Sequence, residues 1–443
     1  MKKRRVLCGL LAAVMMTAMA GCSSSGQGKT EPAGTGASTA GAAAEAGKAG
    51  ESKSGGNLIV WIPGTGDASY DEAWNHVLEA YSAENPGFTY ELTFIPWGEY
   101  FTKLNAAFSG GVGPDVFGVG YGQLGALQNN GNLLALNDYI DKAWDGWTDI
   151  PDNILAQGRK DGGTYGLLMP DVRTLFYRTD IAEEKGVTKD DLRFSSIEEL
   201  AKLAKKMTVY DSNGNVEVAG LEVRTSGAVS CEQNFFIFSS WFGGERLWNE
   251  DLTAAFAGDA NVKALDAMKG MLDDGVAVLN ETGDGSSQIV NGIAAMSINI
   301  ESTLAAAKLA YPDQMAAVAF NMNTLTLGTF YSVNANSKSP ELAADFLSYV
   351  FDSDSQKEFA QVMGQTPSRA SLADWFIEQD QSGDNKEIIE MYSHAVNYSD
   401  TLNYKFLDLM SLLRASIEDV LYNGSDAKTV LEDCAGQYNA LLQ

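Results

Sequence analysis

Residues 58–95 read LIVWIPGTGDASYDEAWNHVLEAYSAENPGFTYELTFI and predict a strand, a helix and a second strand, in that order. Both ends of the stretch are typical of strands, and its middle has the 3.6-residue periodicity of a helix. The apolar positions on that helix face are Trp74, Val77, Leu78 and Tyr81. Ser69 and Glu72 have the spacing of a capping box at the start of the helix. Such a unit nearly always forms a right-handed crossover in a parallel sheet, so the stretch predicts an α/β fold.

Comparable signals continue along the chain. The further predicted elements are a helix around 100–108, a strand at 115–117, a helix capped by Ser195, Ser196 and Glu199, a helix at 259–274 stopped by Gly275, and a helix that starts at Ser339 and Pro340. After about residue 370 only helices are predicted, and one of them is a long helix near residues 404–421.

The first 22 residues, MKKRRVLCGLLAAVMMTAMAGC, place a cationic tip before about sixteen mostly apolar residues. This run is shorter than the ~20 residues that span a bilayer, so it predicts an export signal rather than a retained helix. Residues 19–22 resemble the lipobox of bacterial lipoproteins, with Met19 in place of the usual branched residue. The resemblance implies that a signal peptide, residues 1–21, is removed and that Cys22 becomes the lipid attachment site. An ordinary signal peptide with an incidental cysteine is the alternative.

Residues 22–56 have the composition of a flexible tether. Ser, Gly, Ala and Thr dominate after Cys22, and no aromatic or large aliphatic residue is present to offset the entropy of ordering. A tether has a purpose when both of its ends are attached, so its presence favours a lipid anchor at Cys22.

The folded part, roughly 390 residues, is long enough for two large lobes. The formal net charge of the chain is −27, and loss of the basic signal makes the mature chain more acidic still. Such a charge argues against nucleic acid or anionic lipid as the main partner. We therefore expect contact with the membrane only through the N-terminal lipid.

Cysteine and histidine are too scarce for several classes of site. Outside the signal only Cys231 and Cys434 remain, so no disulfide framework is possible, and the two are either paired or free. His76 and His394 are the only histidines, and neither lies in a motif for zinc or for a Ser-His-Asp triad. We expect no metal and no cofactor.

Several short motifs occur in one order along the whole chain after the tether. They are SAENPG at 82–87, IPWGEY at 95–100, GPDVF at 113–117, GNLLAL at 131–136, DGGTYGL at 161–167, LFYRTD at 175–180, WFGG at 241–244 and VNGIAAM at 290–296. Together they resemble the extracellular solute-binding proteins of sugar ABC transporters, the maltose-binding-protein-like group. The chain departs from that pattern at Arg178, where the group has asparagine, and at Phe194-Ser195, where it often has Thr-Trp.

The resemblance implies a periplasmic-binding-protein-like fold, in which two α/β lobes are joined by a hinge with the ligand cleft between them. Chain crossings are then expected near residues 169–171, 326–331 and 365–367. The expected lobes are 57–169 plus 328–365 for lobe 1, and 170–327 plus 366–443, with a helical C-terminal tail, for lobe 2. The implied function is that of a non-enzymatic monomer that binds a sugar or oligosaccharide outside the cytoplasmic membrane and delivers it to ABC permease subunits by hinge closure.

Sugars offer hydroxyl rims and apolar faces, so aromatic platforms and charged hydrogen-bonding groups are the expected ligand contacts. By the resemblance, the ligand-binding candidates are Asp67, Trp97, Glu99, Tyr121, Gln123, Asp171, Arg173, Glu232, Gln233, Phe235, Asn299, Glu301, Tyr331 and Tyr404. Alternatives remain for several of these positions. Asp67 could lie on a plain solvated loop, Trp97 could pack in the core, and Asp171 could pair with Arg173.

Two other functions are compatible with the sequence. A secreted lipoprotein glycoside hydrolase would need two carboxylates about 5–10 Å apart, but no hydrolase motif is visible. A binding protein for another solute is the second, and a polyamine would suit the acidic charge. A phosphate-bearing ligand would favour a basic cluster or helix N-termini, and the sequence contains no such cluster.

Overall fold

A computed structural model describes residues 55–64, 68–224, 232–244, 246–279, 287–396 and 403–443. The described residues belong to one compact unit of the chain, Lys53–Gln443. The predicted signal peptide, the lipid attachment site Cys22, nearly all of the tether, the candidate Asp67 and Cys231 lie outside the described residues.

The strands are, in chain order, β1 (Asn57–Gly64), β2 (Thr89–Pro96), β3 (Val116–Gly120), β4 (Arg159–Lys160), β5 (Gly163–Thr164), β6 (Leu167–Val172), β7 (Thr174–Arg178), β8 (Val209–Tyr210), β9 (Val216–Val218), β10 (Leu221–Val223), β11 (Ala277–Leu279), β12 (Met296–Asn299), β13 (Met315–Val318), β14 (Thr324–Val333) and β15 (Ala395–Val396).

The helices are α1 (Ala68–Glu84), α2 (Trp97–Ser109), α3 (Leu124–Asn129), α4 (Gly146–Asp149), α5 (Asp152–Leu155), α6 (Thr179–Glu184), α7 (Ile197–Met207), α8 (Glu232–Trp241), α9 (Asp259–Asp273), α10 (Glu301–Ala310), α11 (Pro340–Val350), α12 (Ser353–Met363), α13 (Ala373–Glu378), α14 (Asp384–Tyr392), α15 (Phe406–Asn423) and α16 (Ala427–Ala440). Among the described residues, none of these helices combines the length and the apolar character that a membrane span requires.

The first sheet has the strand order β15-β14-β3-β1-β2, and β6 also pairs with β14. β1 pairs in parallel with both β2 and β3, which confirms the parallel unit predicted from residues 58–95. The helix between β1 and β2 buries its predicted apolar face, since Trp74 and Leu78 are fully inaccessible. Burial of this face against the sheet is the main source of stability for such a helix.

Two details of the secondary structure differ from the prediction. α1 begins at Ala68, so Ser69 lies inside the helix, and the predicted capping box at its start is wrong. The short strand β15 pairs in parallel with the beginning of β14, so the region after residue 370 is not purely helical. A two-residue strand is too short to leave a periodic signal in the sequence.

The second sheet has the order β11-β10-β12-β7-β13 and is mixed. β10 is parallel to β11 and β12, whereas β7 runs antiparallel to β12 and β13. Two separate mixed sheets with flanking helices make the fold α/β with two sheet-centred parts, as predicted.

The chain passes directly from one sheet to the other at Arg173. This residue alone separates β6, which pairs in the first sheet, from β7, which pairs in the second. The chain returns between Val318, the end of β13, and Thr324, the start of β14. β6 and β14 pair antiparallel with each other, so both passages lie side by side.

A glycine permits the close approach of these two strands. Gly328 in β14 has a φ of +142°, and a Cβ there would lie 2.0 Å from the carbonyl oxygen of Met169 in β6. No side chain fits such a gap, so only glycine satisfies both the backbone conformation and the contact. Gly328 therefore fixes where the two backbones meet.

Candidate functional site

Arg173 lies at the passage between the sheets and is only 4% exposed. Its Nε and Nη2 donate hydrogen bonds of 3.1 and 2.9 Å to Oε1 of Gln233, and its Nη1 donates to the Asp171 carboxylate. Burial is the largest single influence and would lower the pKa of Arg173, but Asp171, Tyr121 and Glu301 together raise it. The pairing of Asp171 with Arg173, which the sequence left open, is therefore present.

Tyr121 joins this cluster from the first sheet, because it follows the end of β3. Its hydroxyl donates a 2.6 Å hydrogen bond to Oε1 of Glu232 and accepts one of 3.1 Å from Nε2 of Gln233. Burial and the charge of Glu232 raise the pKa of Tyr121 far above its usual value. The phenol consequently remains a hydrogen-bond donor at any physiological pH.

Glu301 lies at the start of α10 and reaches both strand β6 and the segment that follows α12. Its Oε1 accepts a 3.0 Å hydrogen bond from the Thr366 hydroxyl and a 3.4 Å bond from the backbone N–H of Val172. Burial, together with the charge of Asp171, raises the pKa of Glu301 to about 7. A carboxyl group with such a pKa changes its charge near neutral pH.

Six predicted residues thus form one connected group, which we call the polar network: Tyr121, Asp171, Arg173, Glu232, Gln233 and Glu301. Its members come from the end of β3, from the passage between the sheets and from the first residues of α8 and α10. Polar groups that meet where strands end and sheets adjoin are typical of ligand clefts in α/β proteins.

Arg224 extends the polar network to the candidate Asn299, and sequence reasoning missed it. Its Nη1 donates a 2.7 Å hydrogen bond to Oδ1 of Asn299, and its Nε is buried without a hydrogen-bond partner among the described residues. Burial and the nearby charge of Arg173 lower the pKa of Arg224. The available signal was a charged residue directly after the strand β10, which is where sheet-edge ligand contacts lie.

The structure places three other candidates at the rim or in local contacts. Trp97 begins α2, is 40% exposed, and has its ring centroid 5.9 Å from that of Tyr100. Glu99 is exposed and pairs with Lys103 at 2.6 Å, one turn along the same helix. Gln123 is buried, but its Oε1 accepts a 3.1 Å bond from the backbone of Gly120, so it stabilises a local turn. Of these, only Trp97 presents a large apolar face to solvent.

Two further candidates are buried among apolar residues. Phe235 is fully buried in α8. Tyr331 is 1% exposed, packs 4.8 Å from Trp74 and shares a 3.1 Å hydrogen bond with the hydroxyl of Tyr70. Contact of either ring with a ligand stays a prediction.

The last candidate and the described cysteine lie apart from the polar network. Tyr404 is 38% exposed beside Lys405, whose Nζ is 5.9 Å from the ring centroid. Cys434 is a free, buried thiol in α16. In the part of the chain that the structure describes, no three His, Cys, Asp or Glu side chains are grouped so as to hold a metal ion. The side chains of the polar network and of Arg224 are carboxylates, guanidinium groups, an amide and a phenol. All of these groups suit a hydroxyl-rich ligand.

Comparison with known families explains this arrangement. The sequence profile of the bacterial extracellular solute-binding proteins matches residues 76–388, which is most of the described chain. The chain belongs to this family. The polar network of this solute-binding protein lies entirely within the matched range, as do both passages between its sheets.

Solved structures of solute-binding proteins share the fold. The GacH receptor of Streptomyces glaucescens, solved unliganded and with acarbose, gives a TM-score of 0.74 at 20% identity, over 88% of this chain and 99% of that one. A solute-binding protein of Thermotoga lettingae bound with alpha-D-tagatose gives 0.73 at 21% identity, over 87% of this chain and all of the other. A protein of Brucella abortus (strain 2308) described as a binding protein is 22% identical over 396 residues, or 84% of this chain and 90% of that one. The TM-scores of the two solved structures show that this chain shares their α/β fold.

Proposed function

We propose that this solute-binding protein is the substrate-binding lipoprotein of an ABC transporter that captures a sugar or oligosaccharide. The observation that carries the proposal is the polar network at the passage between the two sheets. It places the buried guanidinium group of Arg173, a buried phenol and several carboxyl groups beside one another, with the partly buried Arg224 nearby. Two proteins with the same fold have tagatose and acarbose as ligands, which supports a carbohydrate here as well.

The chemistry of the network suits sugar hydroxyl groups. A hydroxyl both donates and accepts, so it can bond a carboxylate on one side and a guanidinium on the other. Charge-assisted hydrogen bonds of this kind are stronger than neutral ones. The ring of Trp97 would supply the apolar platform that a sugar face requires. Trp97 directly follows β2 of the first sheet, and its side chain is 40% exposed.

Hinge closure would couple ligand binding to a change of conformation that a permease can recognise. In this proposal residues 57–169 plus 328–365 form lobe 1, and residues 170–327 plus 366–443 form lobe 2. A ligand that contacts both lobes binds the closed state better and shifts the population towards it. The direct passage at Arg173 supports this, because a single residue joins the two sheets there.

The N-terminal sequence supports delivery at the membrane. A lipid on Cys22 and a tether to about residue 56 would hold the monomer close to its permease and raise its effective concentration there. Replacement of Cys22 by serine should move the protein from the membrane fraction to the soluble fraction and abolish labelling by a palmitate analogue. Retention of both properties in that variant would contradict the lipoprotein assignment.

A thermal-shift panel of mono- and oligosaccharides with spermidine tests the ligand class. A ligand at 100 times its dissociation constant stabilises the protein by about 2.7 kcal/mol, which gives a clear rise in Tm. We expect at least one carbohydrate to raise Tm, no effect of spermidine and no product on chromatography. Gln233→Leu should abolish the carbohydrate shift, and Gln379→Leu on an exposed helix end should preserve it. A rise in Tm with spermidine alone would show that the ligand is a polyamine and not a carbohydrate. Release of a product would show that the protein is an enzyme.

A further inference from the structure

A separate cavity of about 260 Å³ lies beside the passages and outside the polar network. We call it the hinge cavity. Its walls come from Pro151 and α5, from β6, from residues 366–373 and from α14. Its apolar lining includes Pro151, Ile154, Pro170, Pro367, Ile389 and Tyr392. Its rim reaches solvent at Asn153 and Ser393, both of which are exposed. A ligand can therefore enter it from the surface.

The lining determines which chemical class fits. Arg369 is the charged residue in the wall, but it is 2% exposed, and its guanidinium is held by Asp145, Asp149 and Asp352. It also donates through Nε to the Phe351 carbonyl at 2.6 Å. With its donors engaged, Arg369 offers little to an anion. The desolvation free energy of entering such a cavity is smallest for an uncharged, apolar molecule.

Two hydroxyl groups in the wall are engaged elsewhere, whereas the buried hydroxyl of Tyr392 has no hydrogen-bond partner among the described residues. The Ser368 hydroxyl donates a 2.9 Å bond to the Leu168 carbonyl, and the Thr366 hydroxyl donates to Glu301. The remaining surface is mostly proline, alanine and isoleucine. For scale, an engineered apolar cavity of roughly 150 Å³ in another protein binds benzene, so a substituted ring fits here.

Tyr392 connects the hinge cavity with the polar network. Its side chain lines the cavity, and its hydroxyl is buried close to Thr366 and within the electrostatic reach of Glu301 and Asp171. Pro170, another wall residue, directly precedes Asp171. A molecule in the hinge cavity therefore contacts Tyr392 and Pro170, which adjoin the polar network and the crossing strands.

We propose that the hinge cavity is a second ligand site, for a small uncharged apolar ring compound, and that its occupancy changes the affinity of the cleft for its solute. The binding part stands on the cavity alone. The coupling part rests on the proposed function, because it requires a cleft ligand. By linkage, the cleft ligand would change the affinity of the cavity by the same factor.

The binding test uses p-xylene and its anionic analogue p-toluate as probes, with ligand-observed NMR on the full protein. We expect p-xylene to bind and p-toluate to bind at least tenfold more weakly. Ala373→Phe fills the cavity and should abolish p-xylene binding, whereas Ala306→Phe, on the exposed side of α10, should leave it unchanged. Thermal unfolding establishes that both variants are folded. Equal binding of both probes, or p-xylene binding that survives in folded Ala373→Phe, would overturn the site.

The coupling test titrates p-xylene with and without a saturating carbohydrate from the thermal-shift panel. We expect the affinity for p-xylene to change by about fivefold, the lower end of ordinary coupling. Tyr392→Phe retains the ring in the wall but removes the hydroxyl, so it should preserve binding and reduce the coupling. An unchanged affinity would overturn the coupling while leaving the site. A protein that binds p-xylene but no carbohydrate would instead contradict the proposed function.

Discussion

The phenol of Tyr121 donates a 2.6 Å hydrogen bond to the carboxylate of Glu232, a residue 111 positions further along the chain. Tyr121 follows the third strand of the first sheet, and Glu232 begins a helix that packs on α9. The bond therefore joins parts of the molecule that the sequence separates widely. A buried bond to a charged acceptor is stronger than one between neutral groups, so this contact holds the polar network together.

Tyr121→Phe removes the donor and leaves the buried Glu232 carboxylate with less hydrogen bonding. We expect the free energy of unfolding to fall by about 1.5–3 kcal/mol, as measured by urea denaturation. Tyr70→Phe is the matched control, because it removes a bond to the neutral hydroxyl of Tyr331 and should cost only about 0.5–1.5 kcal/mol. Equal losses in both variants would show that the charge of Glu232 contributes nothing.

Arg173→Met should destabilise the protein by about 3 kcal/mol in the same measurement. The substitution leaves the Asp171 carboxylate without its partner and removes both hydrogen bonds to Gln233, and breaking a buried ion pair from one side is costly. Arg246→Met is the control, since Arg246 and Glu250 form an exposed pair with an N–O distance of 3.8 Å, which contributes less than about 1 kcal/mol. A loss for Arg173→Met no larger than for the control would refute the structural role of Arg173.

Glu301→Gln should change how stability depends on pH. Burial and Asp171 raise the pKa of Glu301 to about 7 in the folded protein, above its ordinary value of about 4.3. Between these values the folded chain retains a proton that the unfolded chain releases, so the stability contributed by this group falls as pH rises towards 7. Arg173 and Tyr392 are the other titratable groups beside this carboxyl pair.

The glutamine variant lacks that titration. Its free energy of unfolding relative to the wild type should therefore rise between about pH 5 and pH 8, by on the order of 1 kcal/mol, in parallel urea titrations. Glu341→Gln, at an exposed position in α11, should show a difference that is flat with pH. A flat difference for Glu301→Gln would mean that the carboxyl group ionises normally.

Trp97→Ala should weaken the binding of a carbohydrate ligand with little effect on folding. The ring is 40% exposed, so its removal costs little core packing, whereas the lost stacking on a sugar should lower the affinity about 3- to 10-fold. Calorimetric titration measures the change. Tyr210→Ala removes another exposed aromatic residue, in the β8–β9 hairpin, and should leave the affinity unchanged. The same loss in both variants would assign the effect to a general change in the protein.

The elements with strong local signals could be predicted from the sequence. The helix predicted behind Ser196 forms, with the Ser196 hydroxyl accepting from the Glu199 backbone, and the helix predicted at 259–274 ends at Asp273 before Gly275. Periodicity and capping are properties of neighbouring residues, so they are visible in the sequence. The short strand β15 could not be predicted, because its two residues form a strand only through pairing with the distant β14.

The grouping of the candidate residues could also be predicted only in part, because local signals are visible in the sequence and contacts between distant residues are not. Tyr121 follows β3, Asp171 lies near the end of β6 and Glu232 begins α8, and positions of this kind collect at sheet edges. Arg224 was missed because its importance comes from Asn299 and Arg173, which are far from it in the sequence. The burial of Phe235 and Tyr331 was not predicted, because an aromatic residue that packs in a core and one that stacks on a ligand look alike in a single sequence.

Gly328 affects how the ligand specificity of this protein can change in evolution. A Cβ at this position would lie 2.0 Å from the Met169 oxygen, so main-chain atoms form the contact between the two crossing strands at this point. In the proposed closure, the pivot would then be independent of side-chain rotamers. Residues that determine specificity could be exchanged around it without moving the axis of rotation, so a new solute could be accepted while the same mechanical motion is retained.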